Sequence, residues 1–110
     1  MQLDDVILST LIHNDDYAQK VMPFLRADYF YRREHRLVFE LVHSYITKYG
    51  KPPSIKALTI DLGNTSNVPQ ELYDNTLKLL DGFQATERDM DWLVDNTEKF
   101  CKQNAITNIS

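Results

Sequence analysis

Apolar residues recur along this chain at helical spacing and almost nowhere with the alternation of a strand. Leu3, Ile7 and Leu11, flanked by Val6, Leu8 and Ile12, predict a first helix, and Asp4 and Asp5 favour its positive N-terminal end. Asn14 or Asp15 breaks and recaps the chain. Tyr17, Val21, Phe24 and Leu25 then predict a second helix, with a final turn made irregular by Pro23, which lacks an amide donor. After a turn over residues 26–31, a long helix is expected from roughly Arg32 to Tyr49. Its apolar stripe is Leu37, Val38, Leu41, Val42, Tyr45, Ile46 and Tyr49, a recurrence that fits one broad buried face. Gly50 offers a left-handed terminator, and Pro52-Pro53 forbid continuation.

Further along, Ser54 is a good N-cap for a short helix with Ile55, Leu58 and Leu62 on its inner face. Gly63 to Asn67 is the clearest loop. Val68-Pro69 reads as a helix start with proline in the first turn, followed by Leu72, Thr76, Leu77 and Leu80 and ended by Gly82. Thr86 with Asp89 resembles a capping box for the last helix, which carries Met90, Leu93, Val94, Thr97, Phe100, Cys101 and Ala105 on one face. That helix has no stop signal, as expected of a piece of something longer. The pattern predicts an all-α protein: a small helical bundle over residues 1–82, followed by a C-terminal helix over residues 83–110.

With 110 residues, 43% hydrophobic and 25% charged, the chain has the length and composition of one soluble domain. Its net charge of −4 argues against nucleic-acid binding as the main task, since such domains normally present a basic footprint. Cys101 is the only cysteine, which excludes an internal disulfide and a cysteine-based zinc cage. Asp4 and Asp5 stand where a signal peptide would be basic, and no apolar run approaches the ~18 residues needed to span a bilayer. A cytoplasmic protein is expected.

Catalytic chemistry finds little support. His13, His35 and His43 are the only histidines, and His35 and His43 lie eight positions apart, too far for joint metal ligation on one helix without carboxylates between them. The pairs Asp4/Asp5, Asp15/Asp16 and Asp89/Asp91 all fall near helix starts, where capping explains them better than acid–base work. Three isolated glycines and no Gly-Lys-Ser/Thr sequence exclude a P-loop. Arg26, Arg32, Arg33 and Arg36 form the one basic concentration, interleaved with Tyr29, Phe30 and Tyr31, a mixture used in binding single-stranded nucleic acid. Asp28 and Glu34 dilute it, so a solvated face or a protein contact weighs more. Trp92, between Asp91 and Asp95, falls off the main stripe of its helix and suggests that a partner covers a second face.

At Asp28-Tyr29-Phe30-Tyr31, followed by His35-Arg36-Leu37-Val38-Phe39, the chain resembles the N-terminal domain of DnaB-type replicative DNA helicases. The family pattern is an Asp-x-Phe-Tyr-like turn, then His-Arg and an apolar-aromatic pair opening a long helix. A break with Gly and Pro and a short helix follow, as in Gly50 to Leu62 here. Val6 to His13 fits the family's first helix. The match is closest over Leu3 to Leu62, and the segment Glu87 to Asn104 looks most like the tailed-phage branch. One departure is Glu34, where bacterial members often carry proline.

The resemblance implies a non-catalytic domain, with ATP and magnesium handled by a separate motor domain that this chain lacks. It also implies self-association toward a hexameric ring, docking of primase and, in some systems, a helicase loader, and contact with DNA only through the full assembly. Under it, Asp28, Phe30, Tyr31, His35, Arg36 and Phe39 form a structural motif. The last helix becomes the first arm of a helical hairpin, with Met90, Trp92, Leu93, Val94, Thr97 and Phe100, together with Arg32 and Arg33, as the candidate interface. Two other readings compete. One is a small helical DNA-binding regulator using Arg32, Arg33 and Arg36; the other is a metal-dependent helical enzyme using the histidines and carboxylates.

Overall fold

The computed structural model describes residues 2–85 and 89–107, with side chains through Ala105. Among them are six α-helices and no strand: α1 Leu3–His13, α2 Asp15–Val21, α3 Arg33–Tyr49, α4 Ile55–Gly63, α5 Gln70–Asp81 and α6 Met90–Thr107. Single 3-10 turns, Met22–Phe24 and Ala27–Tyr29, join α2 to α3. Pro23 sits in the first of these, as its missing amide requires.

Local rules fix most of the ends. Asn14 closes α1 and also caps α2, its side-chain oxygen accepting from the Tyr17 amide at 2.9 Å. The Ser54 hydroxyl accepts from the Ala57 amide at 3.1 Å and opens α4. Gly50 ends α3 at φ +75°, a left-handed conformation that glycine adopts without a Cβ penalty. Pro69 stands just outside α5, as its N-cap, rather than in its first turn. The expected capping partner Thr86 lies outside the described residues. Asp89 takes that role, its carboxylate accepting from the Asp91 amide at 2.9 Å.

Helix α3 is central, touching α1, α4, α5 and the Ala27–Tyr29 turn. That surround shifts its buried face from the one its apolar spacing suggests. His35, Val38, Phe39 and Val42 are buried, whereas Leu37, Leu41 and Ile46 are only partly so, and Tyr49 is exposed against Tyr45 at 4.6 Å between ring centroids. With neighbours on several sides, the covered arc is wider than one stripe and takes in a histidine.

Helix α6 lies on α2 and on the Ala27–Tyr29 turn, with Leu93, Thr97 and Cys101 buried. Threonines enter these apolar faces because each hydroxyl bonds the carbonyl one turn back. Thr10 reaches Val6, Thr76 reaches Leu72, and Thr97 reaches Leu93, all within 2.7 Å. No helix among the described residues is long and apolar enough to cross a membrane.

Candidate docking surfaces

The aromatic turn before α3 is locked from three directions. Phe30 is wholly buried, its ring centroid 5.6 Å from Phe39 and 5.2 Å from Phe100, so one side chain joins the turn, α3 and α6. Arg36, one turn into α3, folds back so that Nη1 donates to the Phe30 carbonyl at 3.0 Å and to the Tyr31 carbonyl at 2.6 Å. His35 is buried beside it. Its Nε2 donates to Asp5 Oδ1 at 2.8 Å, because a carboxylate can only accept, and this ties the start of α3 to the start of α1. Its Nδ1 has no hydrogen-bond partner and lies 3.9 Å from Asp4 Oδ2. Phe30, His35, Arg36 and Phe39 therefore do structural work.

Tyr31 and Asp28 contribute differently from the rest of the motif. The Tyr31 ring is 90% exposed, so only its carbonyl serves the turn. Asp28 sits in the middle of the Ala27–Tyr29 turn and pairs with Arg26 at 3.4 Å on the surface. A three-arginine nucleic-acid face is not formed, since Arg36 is occupied with carbonyls while Arg32 and Arg33 remain exposed. The histidines are also apart from one another in role: His35 faces Asp4 and Asp5, His43 lies against Phe39 at 5.9 Å, and His13 bonds the Ser9 carbonyl. Among the described residues no three histidine, cysteine or acidic side chains are placed to hold a metal ion.

Of the six α6 side chains named as a candidate interface, Leu93 and Thr97 are buried within the chain's own bundle. Tyr17, on α2, is buried opposite them, with its hydroxyl 2.6 Å from Thr97 Oγ1. Thr97 has given its one hydrogen to the Leu93 carbonyl, so Tyr17 is the donor. Burial pushes the Tyr17 hydroxyl well above the ordinary tyrosine pKa. Cys101, one turn beyond Thr97, is buried as its place on the stripe suggests. Burial, and then the nearby Glu98 charge, raises its thiol pKa, which disfavours the reactive thiolate. Met90, Val94 and Phe100 are partly covered, and Trp92 is 45% exposed.

What remains open on this side is a groove of about 420 Å³ between α6 and the segment after α2. Val21, Phe24, Tyr29, Val94, Cys101 and Ala105 line it, with Glu98 and Lys102 paired at 3.1 Å on its rim. Phe24 stands 63% exposed at its edge. By its spacing from Tyr17 and Val21, Phe24 is expected on the inner face of α2. The 3-10 turn at Pro23 rotates it outward instead.

The bundle ties Tyr17, His35 and Arg36 into its packing and leaves an apolar groove open beside α6. Its sequence places it in a family: residues 1–90 match the DnaB-like helicase N-terminal domain, and the chain belongs to that family. A relative described as a DnaB-like replicative helicase, from Enterobacteria phage T4, is 35% identical over 104 residues. That alignment covers 94% of this chain and 22% of the relative, so the chain spans about a fifth of the length of the helicase it matches.

Proposed function

We propose that this chain is the non-catalytic assembly and docking domain of a hexameric replicative helicase. It contributes to building the ring and presents the surface on which primase and the helicase loader dock during DNA replication in the host cytoplasm. DNA is engaged only by the full assembly. The observation that carries this reading is the open apolar groove along α6 in a domain of this family, next to an exposed Phe24 of the kind that anchors protein interfaces.

ATP and magnesium belong, on this reading, to a motor domain outside the chain. The placement of the glycines supports that reading. Gly50, Gly63 and Gly82 all stand at the C-terminal ends of α3, α4 and α5, where the helix dipole is negative and repels phosphate.

The test pairs two preparations. The isolated chain should bind its cognate primase in a fluorescence anisotropy titration, weakened by Phe24→Ser with the helical circular dichroism unchanged, and should not hydrolyse ATP. The whole helicase lacking this domain should assemble poorly into hexamers. ATP turnover that scales with the isolated chain refutes the reading. So does an absence of primase binding combined with normal hexamers from the deleted helicase.

A further inference from the structure

The buried face of α3 outruns the bundle that covers it. His35, Val38 and Val42 follow one another at spacings of three and four and are buried. The same spacing continues to Tyr45 and Tyr49, so all five lie along one side of the helix. Yet Tyr45 is only partly buried and Tyr49 is 54% exposed. The two tyrosines therefore carry an internal face out into solvent, where Lys48 Nζ lies over the Tyr49 ring, 5.2 Å from its centroid.

Charge marks the same region. Between Glu40 and Asp61 the chain has no acidic residue, although sixteen occur in the whole sequence. Lys48, Lys51 and Lys56 fall in that stretch, all exposed and in no ion pair among the described residues. Lys51 stands in the link between α3 and α4, and Lys56 and Ile60 lie four positions apart on the outer face of α4. Ile60 is 55% exposed. Helices α3 and α4 pack on each other, and the short link brings the end of one to the start of the other. Pro52 and Pro53 stiffen that link and Pro53 is buried, so Lys51 is held in place between the two helices.

We propose that the end of α3 and the outer face of α4 form a docking surface for an acidic amphipathic segment of a partner protein. Lys48, Lys51 and Lys56 pair its carboxylates, while Tyr49 and Ile60 meet its apolar side chains. Charge complementarity selects the sign of the partner, since three uncompensated cations in an acid-free stretch favour an anion. The exposed aromatic and aliphatic side chains select its kind. Nucleic acid has nothing to offer Ile60, and a base would compete with Lys48 and Tyr45 for the Tyr49 ring. The chain's net charge of −4 also opposes a long polyphosphate more than a short segment with a few carboxylates. None of these residues lines the groove beside α6, so this surface is a second one, independent of the reading given above.

Exposed ion pairs are individually weak and screened by salt, so the contact is weak at physiological ionic strength and strengthens at low salt. The stiff link and the paired tyrosines lower the ordering needed on docking.

Fluorescence anisotropy with a short fluorescein-labelled peptide tests this. The probe carries Leu or Phe at every third or fourth position and Asp or Glu between them. The wild-type chain should bind it at about 50 mM salt and much less at about 500 mM. At about 150 mM salt, Lys48→Glu/Lys51→Glu/Lys56→Glu should weaken binding about tenfold or more. Tyr49→Ser/Ile60→Ser should weaken it about fivefold. All five positions are exposed, so helical circular dichroism should be unchanged. Arg32→Glu/Arg33→Glu, at exposed basic positions elsewhere on the chain, should bind like the wild type. Equal weakening by that control, or no effect of the Tyr49 and Ile60 changes, reduces the binding to net charge and overturns the proposal. Tighter binding of oligothymidylate than of the peptide at the same lysines overturns it, as does an absence of peptide binding at low salt. Amide NMR spectra of the chain alone at two concentrations complete the test. Unchanged signals at Tyr49, Lys51 and Ile60 support an open surface, whereas shifts on dilution show that another copy covers it and overturn the proposal. None of these outcomes bears on the groove beside α6.

Discussion

Phe30 joins three parts of the bundle, so its contact with Phe100 reports whether α6 is docked on the rest. Phe30→Ala removes a wholly buried ring with aromatic neighbours on α3 and α6, a change that costs about 3–5 kcal/mol. A domain of this size has roughly 5–15 kcal/mol to lose, so the variant is severely weakened yet measurable near its optimum. Phe100→Ala is milder, about 1–3 kcal/mol, because that ring is only partly covered. The two rings at 5.2 Å in a tilted arrangement should couple by about 0.5–1.5 kcal/mol. The double variant should therefore lose less than the sum of the single losses. Urea unfolding followed by circular dichroism gives all four free energies of the cycle, and constant slopes establish that compactness is unchanged. If the two losses add within about 0.3 kcal/mol, the rings do not touch and α6 is not held by this contact.

Three further outcomes follow from the packing. Leu41→Ala, partly exposed, should cost less than about 2 kcal/mol in urea unfolding, whereas the wholly buried Leu58→Ala should cost about 2–5 kcal/mol; equal losses would contradict the assigned face of α3. Arg36→Ala should cost about 1–3 kcal/mol by the same method, with Arg36→Lys recovering part of it, because two carbonyls lose a charged donor. The Tyr17 hydroxyl has a raised folded pKa, so stability is full below the unfolded tyrosine value of about 10 and falls as pH rises past it. Tyr17→Phe should flatten that alkaline loss in a series of thermal melts, at the expense of the Thr97 bond; an unchanged alkaline slope would show that Tyr17 does not carry it.

The sequence made the helices legible wherever a local rule decides. Ser54, Gly50 and Pro23 each act on the backbone within one turn, and Cys101 lies inside as its place on the stripe suggests. Helical periodicity gives a face but not the number of neighbours that cover it. That is why Leu41 is central in the apolar stripe of α3 by spacing, while the buried arc includes His35. Pairings across distance are invisible to periodicity altogether. Asp5 meets His35 thirty positions away, and Tyr17 meets Thr97 eighty positions away. Asp5 reads as a cap and Thr97 as an interface residue until the fold brings their partners to them. The arginine cluster was visible in the sequence, but the inward duty of Arg36 was not, because it depends on carbonyls five and six residues back coming within reach.

The backbone at Phe30 and Tyr31 has a consequence for how force crosses this domain. Adjacent residues point one ring into the oily centre and the other into water, and a single guanidinium grips the carbonyls of both. A load applied to the outer phenol passes through one peptide unit to the hub where three helical parts meet, with no flexible tether to absorb it. Anything that pulls on Tyr31 pulls on the whole bundle.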